Sequence, residues 1–437
     1  MPNQAATSTL RPRPAVAVVL HQHAEEAALL RHVRSVLVRA PHVDLTRLGR
    51  LDERLAAHLD GLIVAGPAGR ALCLAALERP GAGEVFVLAV LALEGRDQAL
   101  LDHLLALWSA VPEARRGLVS AFGWVPARVL KGVVLGLLAS PPGPALELGI
   151  EACRLHQTDP GPLLPAALSS PSPTLRAVAA RAAAELGRID LLPLLQSGAD
   201  EQPPDLQFWM AWSACLLGDR QQALSKLFEV SCHGRPWSVR ALALAMAAGT
   251  PGQAAEWVQQ ISQAARAPGA GIDEQRRLVR TLALLGDLRF VPWLIARMAE
   301  PALARLAGEA FHWITGADLA ALDLETLDAP TGTPPADDTD ADGALDEDDS
   351  LPWPDPTRVQ AWWTREQAAL EATAAGGRLF LGRPFTPDSA QQVLAVGTQR
   401  QRAHAACLVS LLLPGRCLFQ VAAPATRQRR ILAELSG

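Results

Sequence analysis

Residues 171–196 read PSPTLRAVAARAAAELGRIDLLPLLQ, and the fold follows from how this stretch is punctuated. Leu175, Ala179, Ala182 and Leu186 form an i, i+4, i+7, i+11 stripe along one helix face, while Arg181 and Glu185 lie off it at ion-pair spacing. Gly187 ends the helix. A second helix opens at Asp190-Leu-Leu-Pro-Leu-Leu, with Pro193 near its first turn, where a missing N–H leaves no bond unmade. The phrase returns as Gly286-Asp287-Leu-Arg-Phe-Val-Pro292-Trp-Leu and, more loosely, as Asp159-Pro-Gly-Pro-Leu-Leu-Pro165. Leu278, Leu282 and Leu285 repeat the first-helix stripe.

Working outward, similar copies begin near Pro112, Pro142, Pro171, Pro204, Pro236, Gly271 and Pro301, a spacing of about 30 residues that signals stacked helical pairs. One pair cannot cover its own apolar stripe, so neighbours must stack to bury it. The expected class is all-α: an α-solenoid over residues 66–327 with a concave binding face, uninterrupted by strand-rich sequence. Upstream, HAEEAALLRHVRSVLVRA (23–40) sets Ala27, Leu30, Val33 and Leu37 at helical spacing before Pro41, and LTRLGRLDERLAAHLDGL (45–62) does the same with Leu48, Leu51, Leu55 and Leu59. Residues 1–65 are thus expected as an N-terminal helical cap. Downstream, DAPTGTPPADDTDADGALDEDDS (328–350) reads as an acidic disordered linker, with eight acidic and no basic residues from Asp337 to Asp349. Residues 351–437 are expected as a small, mainly helical C-terminal domain, with helices near 357–374, 387–396 and 398–412.

A chain of 437 residues is too long for one ordinary core, and 49% apolar with 19% charged residues is the composition of a chain that folds. The net charge of −5 provides no field that would draw nucleic acid or an anionic membrane. Lysine occurs only at Lys131 and Lys226, and tyrosine is absent; arginine takes lysine's place without changing charge. Cys73, Cys153, Cys215, Cys232, Cys407 and Cys417 are scattered without a CxxC pair, which fits a reducing compartment. The apolar run Ala15 to Leu20 continues into a charged helix rather than a cleavage site, and Val129 to Ala139 contains Lys131 and is too short to span a membrane. The expectation is a cytoplasmic protein with no membrane insertion and no nucleic-acid partner.

Asp338-Thr-Asp340-Ala-Asp342-Gly343-Ala-Leu345-Asp346-Glu-Asp-Asp349 matches the oxygen positions of a calcium loop, with Asp where position 12 wants the longer Glu. Thr333-Pro-Pro before it and Leu351-Pro-Trp-Pro after it deny the loop its flanking helices, so a solvated spacer is the stronger reading. His21 and His23, with Glu25, Glu26 and His32 nearby, supply no recognised zinc set. His58 and His312 read as packing or capping residues. HExxH, GxSxG, Walker A and GxGxxG patterns are missing, so no catalytic, cofactor or metal residue is assigned. Trp209, Trp212, Trp237, Trp293 and Trp313 recur inside repeats, where large rings fill gaps between pairs more often than they form a recognition strip. Adjacent Trp362 and Trp363 diverge by about 100° on a helix, so one ring is expected to be open to a partner. Arg400, Arg402, Arg427, Arg429 and Arg430 lack the interleaved aromatics of a nucleic-acid site; an acidic surface, such as the linker itself, is the better partner for them.

The phrases HAEEAALLRHVRSVL, LDERLAAHLDGL, FHWITGADL, LPWPDP-x-x-VQAWW, GRLFLGRP and TQRQRAHAA, in this order, resemble a family of uncharacterised bacterial HEAT-repeat proteins nearly end to end. LDERLAAHLDGL is the most specific of them. The resemblance implies a HEAT-like solenoid and, because members are often encoded near type VI secretion components, an accessory or adaptor role there. The repeats are also similar to those of phycobilin lyases, but fold analogy does not transfer function. The expected function is a non-catalytic protein-binding scaffold or adaptor whose partner is a secretion component or effector. Two alternatives stand beside it: a toxin-neutralising immunity protein, and an enzyme or cofactor-binding protein with its site between solenoid and C-terminal domain.

Overall fold

The computed structural model describes residues 16–197, 202–233, 237–327, 348 and 350–436. These form an all-α protein, 70% helix, with 22 helices packed in consecutive pairs in a solenoid-like array. By compactness the chain divides into two units, Met1–Val36 with Gly49–Leu135, and Leu37–Leu48 with Gly136–Gly437.

The first unit is built mainly from α1 (Ala17–Leu37), α2 (Leu45–Val64), α3 (Pro67–Ala75), α4 (Ala82–Glu94), α5 (Gln98–Ala106) and α6 (Pro112–Trp124). α4 is apolar on all sides and packs closely on α6, so Phe86, Leu88 and Leu93 are fully buried. Arg34 donates from Nε to Asp52 Oδ1 at 2.6 Å, tying α1 to α2. The short α7 (Val133–Leu138) follows.

The second unit holds the repeats. In chain order the pairs are α8 (Pro144–Leu155) and α9 (Leu163–Leu168), α10 (Pro173–Glu185) and α11 (Leu192–Gln196), α12 (Pro204–Leu216) and α13 (Gln222–Ser231), α14 (Ser238–Ala248) and α15 (Pro251–Arg266), and α16 (Ile272–Leu285) and α17 (Val291–Arg297); α18 (Pro301–Thr315) ends the array. First helices pack on one another, as α8 on α10, α10 on α12 and α16 on α18, and each second helix packs on the first helix that follows it, as α9 on α10, α11 on α12, α13 on α14, α15 on α16 and α17 on α18. The first helix of each pair starts at or within two residues of the Pro or Gly that marks its copy in the sequence. Both full copies of the Gly-x-x-Asp/Asp-Leu phrase fold alike: a 3₁₀ turn, Ile189–Leu191 or Leu288–Phe290, runs straight into a short helix with proline in its first turn. The predicted stripe is buried, with Leu175 and Ala182 at no more than 1% exposure.

After the array come α19 (Pro356–Ala374), α20 (Pro387–Val396), α21 (Gln399–Leu412) and α22 (Ala425–Ser436), with two small antiparallel pairs, β1 (Glu325–Thr326) with β2 (Trp353–Pro354) and β3 (Leu379–Phe380) with β4 (Arg383–Pro384). The segment expected as a C-terminal domain shares one unit and one hydrophobic core with the repeats, through residues such as Phe380, Val393, Leu394 and Leu408. Its backbone runs across the C-terminal ends of the first helices. The last carbonyls of a helix have no partner within it, and here the tail supplies donors: Leu418 N to Glu185 O at 2.8 Å, Leu379 N to Gly286 O at 2.8 Å, Leu381 N to Trp313 O at 2.6 Å and Gly382 N to Ile314 O at 3.0 Å. Arg378 alone serves three carbonyls, of Leu285 (2.7 Å), Met246 (2.6 Å) and Leu284 (3.1 Å). The tail is a strap that caps α10, α14, α16 and α18.

Gly286 shows how tightly it is drawn. Its φ of 73° is left-handed, and a Cβ there would overlap the Leu379 carbonyl oxygen. Gly269 has a similar φ of 84° but open space around it. Gly286→Ala is therefore expected to cost at least about 2 kcal/mol in denaturant unfolding, and Gly269→Ala only the backbone penalty of about 1 kcal/mol. Equal losses would mean that the strap does not press on this turn.

Candidate functional site

Under the strap lies a buried charge network. Arg154, Glu151 and Glu185 are 2%, 6% and 2% exposed. Arg154 bridges Glu151, at 2.5 Å, and Glu185; Arg181 Nε donates to Glu185 Oε1 at 2.7 Å, and Gln420 Nε2 from the strap to Glu185 Oε2 at 2.7 Å. The Arg181–Glu185 pair is as the spacing predicts. Burial alone would raise the Glu185 carboxyl, but the Arg154 and Arg181 guanidiniums more than offset it and hold it at about 2. In an unfolded chain this group titrates near about 4.3. Its stabilising contribution is therefore present above that pH and is lost as pH falls toward 2. The denaturant midpoint of the wild type should fall more steeply across this window than that of Glu185→Gln; parallel curves would place the acid sensitivity elsewhere.

His404 of α21 is 6% exposed between Trp313 (ring centroids 5.4 Å apart) and Phe380 (5.0 Å), and neither ring nitrogen has a hydrogen-bond partner among the described residues. Burial first, and the Arg378 charge second, push its pKa down to about 3, so it packs as a neutral aromatic plate. The thiols of Cys73, Cys153 and Cys407 are pushed up to about 11 and Cys215 to about 12 by burial, the opposite of an activated thiolate.

A groove of about 1030 Å³ with mixed chemistry opens on the repeats, formed by α11, α12, α13 and the start of α15. Leu195, Met210, Ala211, Ala214 and Ala223 make its floor, and the three alanines leave the space that larger side chains would fill. Its walls carry the carboxamides of Gln196, Gln202, Gln207, Gln221, Gln222 and Gln253. Charged groups there are engaged: Lys226 pairs with Glu229 at 3.1 Å, and Asp219 accepts from Gln196 Nε2 at 2.9 Å and from Gln221 N at 2.8 Å.

The residues singled out in the sequence are dispersed. His23 and His58 meet, Nδ1 to Nδ1 at 3.1 Å, but among the described residues no three His, Cys, Asp or Glu side chains gather as a metal-ligand set. Burial, and then His23, lower the pKa of His58; burial also lowers that of His312. The calcium-like loop lies outside the described residues except for Asp348, which is 5% exposed and pairs with Arg276 at 2.7 Å. At this residue the ion pair is with Arg276 of α16, and the other acidic residues of the expected linker–tail pairing lie outside the described residues. Arg400 pairs instead with Glu309 of α18 at 2.7 Å, and Arg402 is wholly buried, since the tail folds into the array rather than standing apart. Trp209, Trp212 and Trp313 are core, at 7%, 2% and 7% exposure, while Trp237 and Trp293 are half-buried. Trp363 is buried and Trp362 packs edge-on to Phe311 at 5.5 Å, so neither ring stands free as expected for one of them. The groove escaped sequence reading because its carboxamides come from four separate elements with no shared period. Among the described residues no single helix is long and apolar enough to cross a membrane.

Compared with protein families, curated proteins and solved structures, the chain matches none.

Proposed function

We propose that this chain is a non-catalytic protein-binding scaffold or adaptor that works in the bacterial cytoplasm. The groove supports the reading: it is open, large and lined by six carboxamides and three engaged charged groups over an apolar floor, a surface suited to holding a polypeptide. The raised thiols and the neutral, enclosed His404 argue against nucleophilic or acid–base chemistry at these groups. The resemblance to HEAT-repeat proteins encoded beside type VI secretion components makes a component or effector of that machinery the partner to look for. The test is affinity purification of the tagged full chain from its native bacterium, with mass spectrometry of what is retained. A protein enriched in stoichiometric amount is expected; retention of a small molecule or metal with no protein would overturn the reading.

A further inference from the structure

We infer that the groove takes an extended segment of the partner protein and reads it chiefly through its main chain. This rests on the scaffold reading and specifies what the scaffold holds. A glutamine carboxamide carries the same donor and acceptor pair as a peptide group, so it can satisfy a main-chain N–H and C=O together. Gln221 and Gln222 are exposed and their carboxamides make no hydrogen bond among the described residues. Three others are half committed. Gln196 uses its amide nitrogen on Asp219, while Gln202 and Gln253 use their oxygens, on Arg176 Nη1 at 3.1 Å and on Thr250 N at 3.0 Å. The groove thus offers unfilled donors and acceptors side by side. A helical ligand would have nothing to give them, because its peptide groups are satisfied internally; an extended one presents all of its own.

Charge points the same way. With Lys226 paired to Glu229 and both Asp219 oxygens engaged, no bare ion is left to select an acidic or basic ligand. Side-chain selection falls to the shallow floor at Ala211, Ala214 and Ala223, which admits alternate residues of an extended strand without demanding a particular shape.

The probe is a library of random twelve-residue peptides displayed on phage and selected on the full chain. The tightest peptide is then resynthesised with single N-methyl groups, or single alanines, at each position. N-methylation at alternate positions is expected to weaken binding about tenfold each, one hydrogen bond's worth, while alanine replacements change it less than about threefold. The surface variant Gln221→Ala/Gln222→Ala should lose about tenfold or more with an unchanged unfolding midpoint. Binding governed by alanine replacements and indifferent to N-methylation would overturn the inference, as would peptides insensitive to the double variant. A native partner retained equally by wild type and double variant defeats the groove assignment but leaves the scaffold reading intact; failure to retain any protein defeats the scaffold reading itself.

Discussion

Arg154→Met should lower the stability of the full chain by about 3–5 kcal/mol, the range for removing one partner of a buried ion pair. The side chain removed is 2% exposed and joins two carboxylates that are scarcely more accessible. Methionine keeps much of the volume, so packing changes little and the loss reports the charge left behind. Glu151 then has no cation at bonding distance, and Glu185 keeps only Arg181 and Gln420. Each carboxyl would respond by taking up a proton, so the variant should regain part of its stability on mild acidification while the wild type loses stability. Arg154→Met/Glu151→Gln should recover part of the loss, because it removes the stranded charge. Chemical denaturation of the three proteins measures both effects; a loss below about 1 kcal/mol for the single variant would show that the network is solvated.

Arg402→Leu is expected to cost at least about 4 kcal/mol. Arg402 is fully buried, yet all its hydrogen-bond partners are neutral: Leu394 O at 2.7 Å, Gln428 Oε1 at 2.6 Å and Gln399 Oε1, with Phe419 beneath the guanidinium at 5.7 Å. Burial lowers its pKa to about 10, with Asp44 pulling the other way, so it stays charged at neutral pH. Gln428 passes the connection on to Val421 O at 2.8 Å and Ala423 O at 2.6 Å, and Gln399 to Val421 O at 2.8 Å. One side chain thus joins the end of α20, the start of α21, the loop before α22 and α22 itself. Leucine would strand three buried acceptors, each at about 1–3 kcal/mol. Lysine keeps the charge but not the planar fork, so Arg402→Lys should rescue little. Full rescue by lysine would reduce the residue's role to its charge alone.

The repeats were legible because helix starts and stops are written in side chains. Pro112, Pro204 and Pro301 each begin a helix, and the phrases at Asp190 and Asp287 each give a 3₁₀ turn and a short helix. Leu278, Leu282 and Leu285 are buried as their spacing requires. The strap was not legible. It is held largely by main-chain amides of Leu379, Leu381, Gly382 and Leu418 on carbonyl oxygens, and such bonds leave no mark in residue type. The role of Arg378 depends on three carbonyls, one of them 132 residues away, and no residue pattern marks it. The strap also decides the burial of Glu185, which lies off the stripe but is covered on that face by Leu418 and Gln420. The groove was hidden for a related reason, since absence of bulk at Ala211, Ala214 and Ala223 matters only once α12 and α13 are side by side.

The central structural claim is that strap and repeats form one cooperative body, with the helix ends capped from outside. Native-state hydrogen exchange of the full chain tests it most directly, at the amides of Leu379, Leu381, Gly382 and Leu418 against those in the middle of α12 and α16. The strap amides should exchange with the same opening free energy as the helix amides, and Arg154→Met should lower both together. Strap amides that open at a free energy several kcal/mol below the helices, unmoved by that substitution, would contradict the claim and make residues 351–437 a separately folding appendage.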